Sequence, residues 1–248
     1  MQGKMIGAET RSRPTACRSH TEVANLDDQP TERGQRLSRA AAQRLSLYLR
    51  CVAGWPADEE KVSSGRIAEA VGVSDAQVRR DLAALGHLGQ RGVGYDAREL
   101  ATAIRTALGI NRPWRAVLIG VGNLGRALLR YQGFRAQGFE IVGLFDSDPG
   151  KVGQSVEGLT VESVVGLAER VAALGAELGV LTVPGETAHA VAEALVTAGI
   201  RGILNFAPVV LKLPRRVRLV TVDLAIQLEQ LAFQVQHGDS ATRPADDD

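Results

Sequence analysis

One glycine-rich run near the middle of the chain has the residue types and spacing of a dinucleotide site. It consists of Gly120, Val121, Gly122, Asn123, Leu124 and Gly125, and Asp146 follows 21 residues after the last glycine. The first glycine permits a sharp turn, the second lets a pyrophosphate approach the backbone, and the third lets a helix pack close to a strand. The phosphates would then contact free N–H groups at the N-terminus of a helix.

The acidic residue behind the glycines indicates which dinucleotide would fit. Asp146 ends an apolar run, a position from which a carboxylate can accept hydrogen bonds from both hydroxyl groups of a ribose. Its charge would repel a 2′-phosphate, which favours NAD(H) over NADP(H). The alternative, a tight strand-to-helix turn without a ligand, stays open at this point.

Hydride transfer would need a proton donor or acceptor beside the nicotinamide, and few residues in the C-terminal half of the chain qualify. His189 lies in an amphipathic stretch and is expected at the surface, and Lys151 is expected to be a solvated loop charge. Asp148 fits a solvated loop or a turn cap before Pro149. Tyr131 is either functional or a core tyrosine with a satisfied hydroxyl. No His–Asp or Tyr–Lys pair stands at helical spacing, so the pattern argues against an enzyme and no catalytic residue is assigned.

A second run, from position 62 to position 82, has the pattern of a helix-turn-helix. Gly72 fits the turn, and Ser74 with Gln77 three residues later forms a capping box for the second helix. This arrangement leaves Gln77, Arg79 and Arg80 for solvent or DNA. Glutamine can pair with adenine and arginine with guanine, although either arginine could instead contact a phosphate. The alternative is a helical hairpin with a charged solvent face.

Four glycines between positions 86 and 94 surround Arg91 and favour a short β-hairpin or wing after this motif. Beyond it, Pro113 disfavours continued helix and indicates a linker. Hydrophobic periodicity predicts head helices over 37–53, 64–71, 74–85 and 99–108. After residue 115 it predicts strands over 116–119, 140–145, 178–183, 202–206 and 217–222, and helices over 124–131, 161–174 (mostly), 187–198 and 224–235. This alternation implies a mostly parallel sheet that is covered on both faces.

The composition limits the remaining possibilities. The chain has 248 residues, 45% of them apolar, and a net charge of +1, so any affinity for DNA must come from a local patch. No run approaches the ~20 apolar residues of a membrane span. Cys17 and Cys51 are too few for a disulfide framework or a zinc site, which fits a cytoplasmic, reducing compartment without a metal. Residues 1–36 are either a disordered arm or an over-extended start, and residues 238–248 are expected to be a disordered tail.

Taken together, these patterns resemble the Rex family of redox-sensing transcriptional repressors, from about Leu37 to Gln236. The order and spacing of the matching strings carry the resemblance. These strings span 43–48, 62–64, 76–82, 91–95, the glycine run, 145–149, 181–184 and 205–209.

The resemblance implies an α/β homodimer in which each subunit has an N-terminal winged-helix domain and a Rossmann-type doubly wound parallel sheet. The winged helix would cover residues 37–110, a linker 111–114, and the NAD(H)-binding domain 115–223. A C-terminal helix over 224–237 would be swapped onto the partner. Such proteins bind an inverted-repeat operator in double-stranded DNA when NADH is scarce and release it when NADH binds.

The resemblance and the residue patterns together indicate two sets of site residues. The nucleotide set comprises the glycine run with Asp146, Thr182, Val183, Pro184, Asn205, Phe206 and Leu224, the last reaching the nicotinamide of the partner subunit. The DNA set comprises Ser63, Ser64, Ser74, Gln77, Arg79, Arg80 and Arg91, within the region from Tyr48 to His87.

The resemblance also implies a switch formed by Arg44, Tyr131 and Asp223. Two departures from the family are visible. Arg80 stands where the family usually has lysine, and the segment 83–85 reads Ala-Ala-Leu where the family favours an aromatic pair. Both lie in or just after the expected reading helix. The operator sequence that the protein prefers, or the packing of this helix against the wing, can therefore differ from that of the family.

An apolar pocket would explain why NADH rather than NAD⁺ acts as the effector. The nicotinamide of NAD⁺ is cationic, and burial of a cation in an apolar pocket is far less favourable than burial of the neutral ring. Pro184, Phe206 and Leu224 of the partner subunit would line such a pocket. The alternative function is an NAD-dependent dehydrogenase or a CoA-binding Rossmann protein with an accessory helical domain. A ligand-independent DNA-binding protein with a vestigial nucleotide fold is a third possibility.

Overall fold

The computed structural model describes residues 37–56, 61–86, 89 and 93–237. The predicted arm and tail lie outside these ranges, and so do His87 and Arg91 of the expected wing. The predictions for those residues stay predictions.

The N-terminal part of the described chain is a small helical domain with a two-stranded sheet. Its elements are α1 (Arg39–Ala53), β1 (Lys61–Val62), α2 (Ser64–Val71), α3 (Asp75–Ala83), β2 (Tyr95–Asp96) and α4 (Ala97–Ala107). Helix α1 packs against α2 and α4, and α2 packs against α3. Strands β1 and β2 pair antiparallel and join the start of the helix-turn-helix to the segment after the expected wing. The four predicted head helices are confirmed to within a few residues.

Local capping explains where these helices begin. The side chains of Ser38, Ser63, Ser74 and Asp96 each accept a hydrogen bond from a backbone amide in the first turn that follows. Such bonds satisfy amides that have no partner inside the helix. Gly72 ends α2 in the left-handed region, where the predicted turn between α2 and α3 lies.

The C-terminal part alternates strands with helices, as expected. Its elements are β3 (Trp114–Ile119), α5 (Asn123–Arg130), α6 (Gln132–Ala136), β4 (Phe139–Asp146), β5 (Ser155–Val156), β6 (Leu159–Ser163), α7 (Leu167–Leu174), β7 (Leu178–Leu181), α8 (Gly185–Thr197), β8 (Gly202–Asn205), β9 (Arg218–Thr221) and α9 (Leu224–His237). The strand order is β5-β6-β4-β3-β7-β8-β9, and every neighbouring pair except β5 with β6 is parallel. This is the Rossmann-type doubly wound sheet that the sequence predicted.

The sheet has a separate apolar core on each face. One core combines strand residues with α7 and α8 and includes Phe145, Val171 and Leu195. The other includes Leu118 and Leu144, against which side chains of α5 pack. The winding direction reverses between β3 and β7, so the loops that follow these two strands flank a crevice at the carboxyl edge of the sheet. Ligands of doubly wound sheets bind at this position.

One predicted helix is partly wrong. Residues 161–163 belong to strand β6 rather than to a helix over 161–174, and α7 begins only at Leu167. The apolar residues of this segment fit either period. Pairing with β4, which places Val161 opposite Leu144, decides in favour of the strand. Gly166, in the left-handed region, separates β6 from α7.

The connection between the two parts is fixed by side chains. The indole Nε1 of Trp114 donates a hydrogen bond to the carbonyl of Gly109 at 2.8 Å. The guanidinium of Arg112 lies over the Trp114 ring, 4.1 Å from its centroid, and forms two hydrogen bonds with the carboxylate of Glu177. Strand β3 also begins at Trp114, within the predicted linker over 111–114.

Helix α9 differs from the other long helices because all of its residues are exposed. Its large apolar side chains fall on two opposite faces at helical spacing. Leu224, Leu228, Leu231 and Val235 form one stripe, and Ile226 and Phe233 form the other. No helix in the described part of the chain is long and apolar enough to cross a membrane.

Candidate functional site

The glycine run forms a cradle with two closed positions and one open one. Gly120 follows β3 with φ +97°, and a Cβ at this position would lie 2.6 Å from the carbonyl oxygen of Thr182. A Cβ on Gly125 would overlap the carbonyl oxygen of Gly120. At Gly122, by contrast, an added Cβ would meet no atom within 4 Å. The first and third glycines are required by close backbone packing, and the second leaves space where a ligand can approach.

The first turn of α5 supplies donors for an anion beside this space. Helix α5 begins after Gly122, and no side chain caps it. The first amides of a helix have no intrahelical partner, and the positive end of the helix favours a negative ligand. The exposed Asn123 and Leu124 lie in this turn. The open glycine and the uncapped amides together fit the pyrophosphate of a dinucleotide.

Asp146 lies at the carboxyl end of β4, next to this cradle. Its carboxylate accepts hydrogen bonds from the backbone amides of Val121 at 2.7 Å and Asp148 at 2.9 Å, and from the Lys151 ammonium at 3.0 Å. Burial raises the pKa of Asp146, but the hydrogen bonds from Asp148, Lys151 and Val121 outweigh it and hold the pKa below its ordinary value. The carboxylate is therefore ionised and fixed at the edge of the crevice.

Two expectations about the loop after β4 have different outcomes. Lys151 is not a solvated loop charge, because its ammonium pairs with Asp146 and lies 3.7 Å from a carboxylate oxygen of Asp148. A lysine five residues after the acidic residue is a weak signal, since only the turn brings the two together. Asp148 does cap that turn, and its side chain accepts the amide of Gly150 at 2.9 Å.

Two polar residues of the expected nucleotide set shape the loops around the crevice. The Thr182 hydroxyl donates to the carbonyl of Gly120 at 2.6 Å. The fully buried Asn205 donates to the carbonyls of Ala207 and Val209 and accepts the amide of Ala207. Their polar atoms thus hold the loops after β7 and β8. The half-buried Val183 and Phe206 and the exposed Pro184 lie in the same two loops.

The three expected switch residues are not in contact in the described chain. Tyr131 is 53% exposed, and its ring packs edge-on against Phe134, so the alternative of a core tyrosine is wrong. Asp223 accepts the amides of Ala225 and Ile226 and so caps α9. Arg44 pairs with another carboxylate, described below. His189 is exposed on α8, as expected.

Helix α3, the expected reading helix, contains a buried carboxylate that the sequence analysis did not identify. Asp81 is 6% exposed and accepts two hydrogen bonds from Arg44, at 2.6 and 2.7 Å, and one from the Tyr48 hydroxyl at 2.9 Å. These bonds, that from Arg44 first, hold the pKa of Asp81 below its ordinary value despite burial. Burial and the bond to Asp81 raise the pKa of Tyr48 to about 12. The available signal was an aspartate between the core positions Val78 and Leu82.

The outward face of α3 carries the expected basic residues. Arg79 and Arg80 are both exposed, and Arg79 pairs with Asp75 at 3.0 Å. Ser74 caps α3, but the second half of the predicted capping box does not form. Gln77 turns toward Asp81, to which it donates at 2.9 Å, rather than back to Ser74. Ser63 caps α2, and Ser64 follows it as the first helical residue.

The described residues contain no cluster of three or more His, Cys, Asp or Glu side chains that could hold a metal ion.

Two family models match the chain. The model described as "CoA binding domain" matches residues 111–209, and the one described as "Putative DNA-binding protein N-terminus" matches residues 36–83. The two matches correspond to the sheet with its crevice and to most of the head.

Known relatives match nearly the whole chain. A protein of Rhodopirellula baltica named "Redox-sensing transcriptional repressor Rex" is 46% identical over 222 residues, which cover 88% of this chain and 94% of that protein. A solved structure described as "RSP in complex with beta-NAD+ and operator DNA" is 32% identical, with a TM-score of 0.77, and covers 82% of this chain and 94% of that one. A second, "RSP in complex with beta-NADH", is 31% identical, with a TM-score of 0.72, and covers 82% and 96%.

Proposed function

This chain belongs to the Rex family of redox-sensing transcriptional repressors, and from that premise we propose which of its residues form the input and the output of the switch. The input is the crevice formed by the glycine run and Asp146, which binds NADH or NAD⁺ as an effector. The output is the exposed face of α3, which binds operator DNA in the homodimer. The observation that carries this proposal is the open cradle at Gly122 beside the uncapped start of α5.

The chain's own residues would fix the dinucleotide in a defined orientation. The first-turn amides of α5 hold the pyrophosphate, and the ionised carboxylate of Asp146 accepts the ribose hydroxyl hydrogens. Pro184 and Phe206, in the loops after β7 and β8, provide apolar surface near the nicotinamide end. Leu224 of the partner subunit, which is 63% exposed in the described chain, would complete this lining. An apolar lining favours the neutral ring of NADH over the cationic ring of NAD⁺.

We propose that the chain is not an enzyme and uses the dinucleotide only as a signal. His189 is exposed on α8, and the Lys151 ammonium is paired with Asp146, so neither is placed as a proton donor beside the crevice. We further propose a cytoplasmic location, because bacterial operator DNA lies there. An absence of NADH oxidation by the purified protein with carbonyl substrates would support the first proposal, and turnover would contradict it.

Effector binding must favour a conformation that DNA disfavours. The coupling is reciprocal, so operator DNA must weaken NADH binding by the factor by which NADH weakens operator binding. In the homodimer, the two α3 helices would occupy successive major grooves, ~34 Å apart. We propose that NADH closes the dimer and misaligns these helices, with Arg44, Tyr131 and Asp223 taking part.

A gel-shift titration tests this function directly. Purified protein is bound to its operator, and NADH or NAD⁺ is added at increasing concentration. We expect release by NADH at concentrations at which NAD⁺ leaves the complex intact. Unchanged operator affinity at saturating NADH would overturn the proposal.

The Lys151 ammonium should influence discrimination against NADPH. The Asp146 carboxylate would repel the 2′-phosphate of NADPH, and the Lys151 ammonium beside it partly offsets that repulsion. We expect Lys151→Met to widen the preference for NADH over NADPH by about threefold, the size of effect usual for a partly exposed ion pair. Fluorescence titration of both dinucleotides measures the ratio, with Lys212→Met as an exposed control. An unchanged ratio would show that the pair does not face the ribose.

The two exposed arginines of α3 should contribute to DNA binding alone. Arg79→Ala and Arg80→Ala are each expected to weaken operator binding by about tenfold, because one good contact to a base or phosphate is lost. NADH titration should be unchanged for both, and Arg98→Ala on α4 is the control. If either variant failed to fold, as judged by circular dichroism, the assignment of these side chains to an exposed face would be wrong.

A further inference from the structure

All four contacts of the Asp81 carboxylate come from side chains. Its Oδ2 accepts from Arg44 Nε and from the Tyr48 hydroxyl, and its Oδ1 accepts from Arg44 Nη2 and from Gln77 Nε2. Arg44 and Tyr48 belong to α1, whereas Gln77 lies one turn before Asp81 on α3. The Asp81 carboxylate therefore links Gln77, on the same helix, to Arg44 and Tyr48 of α1.

Hydrogen-bond chemistry fixes the orientation of the Gln77 amide. A carboxylate only accepts, so the NH₂ group of Gln77 must face Asp81 and its carbonyl oxygen must face away. That oxygen accepts a hydrogen bond from Arg80 Nη2 at 2.8 Å. The result is a relay of side chains from α1 to the surface of α3, in the order Arg44, Asp81, Gln77 and Arg80.

This relay changes which residue can read a base. Recognition of adenine by glutamine uses the amide NH₂ and carbonyl together, and in Gln77 one N–H donates to Asp81 and the carbonyl accepts from Arg80, so protein partners already fix the amide plane. Arg80 is exposed and uses only one of its N–H groups in the relay. Its remaining donors can still form the two-bond contact with guanine. Bracing also reduces the rotamer freedom that the arginine would lose on binding.

We propose that Gln77 and Asp81 are positioning residues that hold Arg80 for recognition of one guanine, rather than Gln77 itself reading adenine. Arg79 is outside the relay, since it pairs with Asp75, and in this proposal it contacts the DNA backbone. This inference rests on the proposed function, because it assumes that α3 enters the major groove of an operator.

The experiment measures specificity position by position. Operator duplexes are first selected from a random-sequence library with the full-length wild-type protein. The affinities of wild type, Gln77→Leu, Arg80→Ala and Arg79→Ala are then measured by fluorescence anisotropy for the selected operator and for each single base-pair change. If the wild type selects no sequence, the proposed function fails, whatever the variants show.

The relay predicts a distinct pattern for each variant. Gln77→Leu should reduce discrimination at one G·C pair by about tenfold, and Arg80→Ala should do so at the same pair. The double variant Gln77→Leu/Arg80→Ala should lose no more discrimination at this pair than Arg80→Ala alone, because the two residues act as a unit. Arg79→Ala should weaken all duplexes alike and reduce the salt dependence.

Asp81→Asn provides a second variant with intact size. It should relax the same G·C pair as Gln77→Leu, and circular dichroism checks that it folds. Two results with Gln77→Leu would overturn the proposal. One is relaxed discrimination at an A·T pair, which would make Gln77 an adenine reader. The other is unchanged discrimination at every G·C pair that Arg80→Ala relaxes.

Discussion

Replacement of Asp146 by alanine is expected to produce a repressor that remains on operator DNA when NADH rises. The variant would lose the ionised acceptor that we propose for the two ribose hydroxyl groups, and each hydrogen bond to a charged group contributes about 1.5–3 kcal/mol. We therefore expect NADH binding to weaken at least about 100-fold, since every 1.4 kcal/mol is tenfold in affinity. Release from the operator should need a correspondingly higher NADH concentration.

The structure supplies a matched control for this variant. Asp148 lies in the same loop and contacts the same lysine, but it is exposed and its main role is to cap the turn at Gly150. Asp148→Ala should keep NADH affinity within a few-fold of the wild type. NADH titrations are followed by fluorescence, and operator affinity without NADH shows whether the head is intact. If Asp146→Ala titrated like the wild type, the ribose assignment would be wrong.

Substitution of glutamate for Leu231 on α9 is expected to dissociate the homodimer. Leu231 is 54% exposed in the described chain and lies in the middle of the longer apolar stripe. Full burial of a leucine contributes about 1.5–3 kcal/mol, and burial of an unpaired carboxylate would be strongly unfavourable. Because a monomer contacts only one half-site, operator affinity should fall by more than about 100-fold.

Sedimentation equilibrium and gel shift together measure this effect. Gln234→Glu adds the same charge on the polar sector between the two stripes, so it should leave the dimer intact. Phe233→Glu tests the second stripe, which should also be covered if α9 is inserted between two surfaces. A Leu231→Glu protein that remained dimeric at micromolar concentration would show that α9 is not the subunit contact.

The parts of the fold that depend on neighbours in sequence were predictable. Ser74 caps the helix that it precedes, as predicted, and the glycines at 120, 122 and 125 have the backbone geometry that their spacing indicates. Each of these features involves a few consecutive residues, whose types report local geometry directly.

The parts that depend on distant partners were not predictable. Arg44 and Asp81 are 37 residues apart, so nothing in the local pattern of either helix shows that they pair. Gln77 fits a capping box by sequence, but its amide donates to the Asp81 carboxylate one turn later on the same helix, and Arg44 of α1 holds that carboxylate in place. The segment 161–163 has a pattern that suits helix or strand, and only the register with β4 selects the strand.

The contacts of residues 109–114 join the last helix of the N-terminal part to the first strand of the sheet. A flexible connection would absorb a rotation of the sheet, whereas a rigid connection would pass the rotation on to the N-terminal helices. The hydrogen bond from the Trp114 indole to Gly109 and the ion pair between Arg112 and Glu177 restrain this connection. We therefore expect the stiffness of this short segment to affect the coupling between NADH binding and DNA binding, while the residues proposed to contact NADH and DNA stay unchanged.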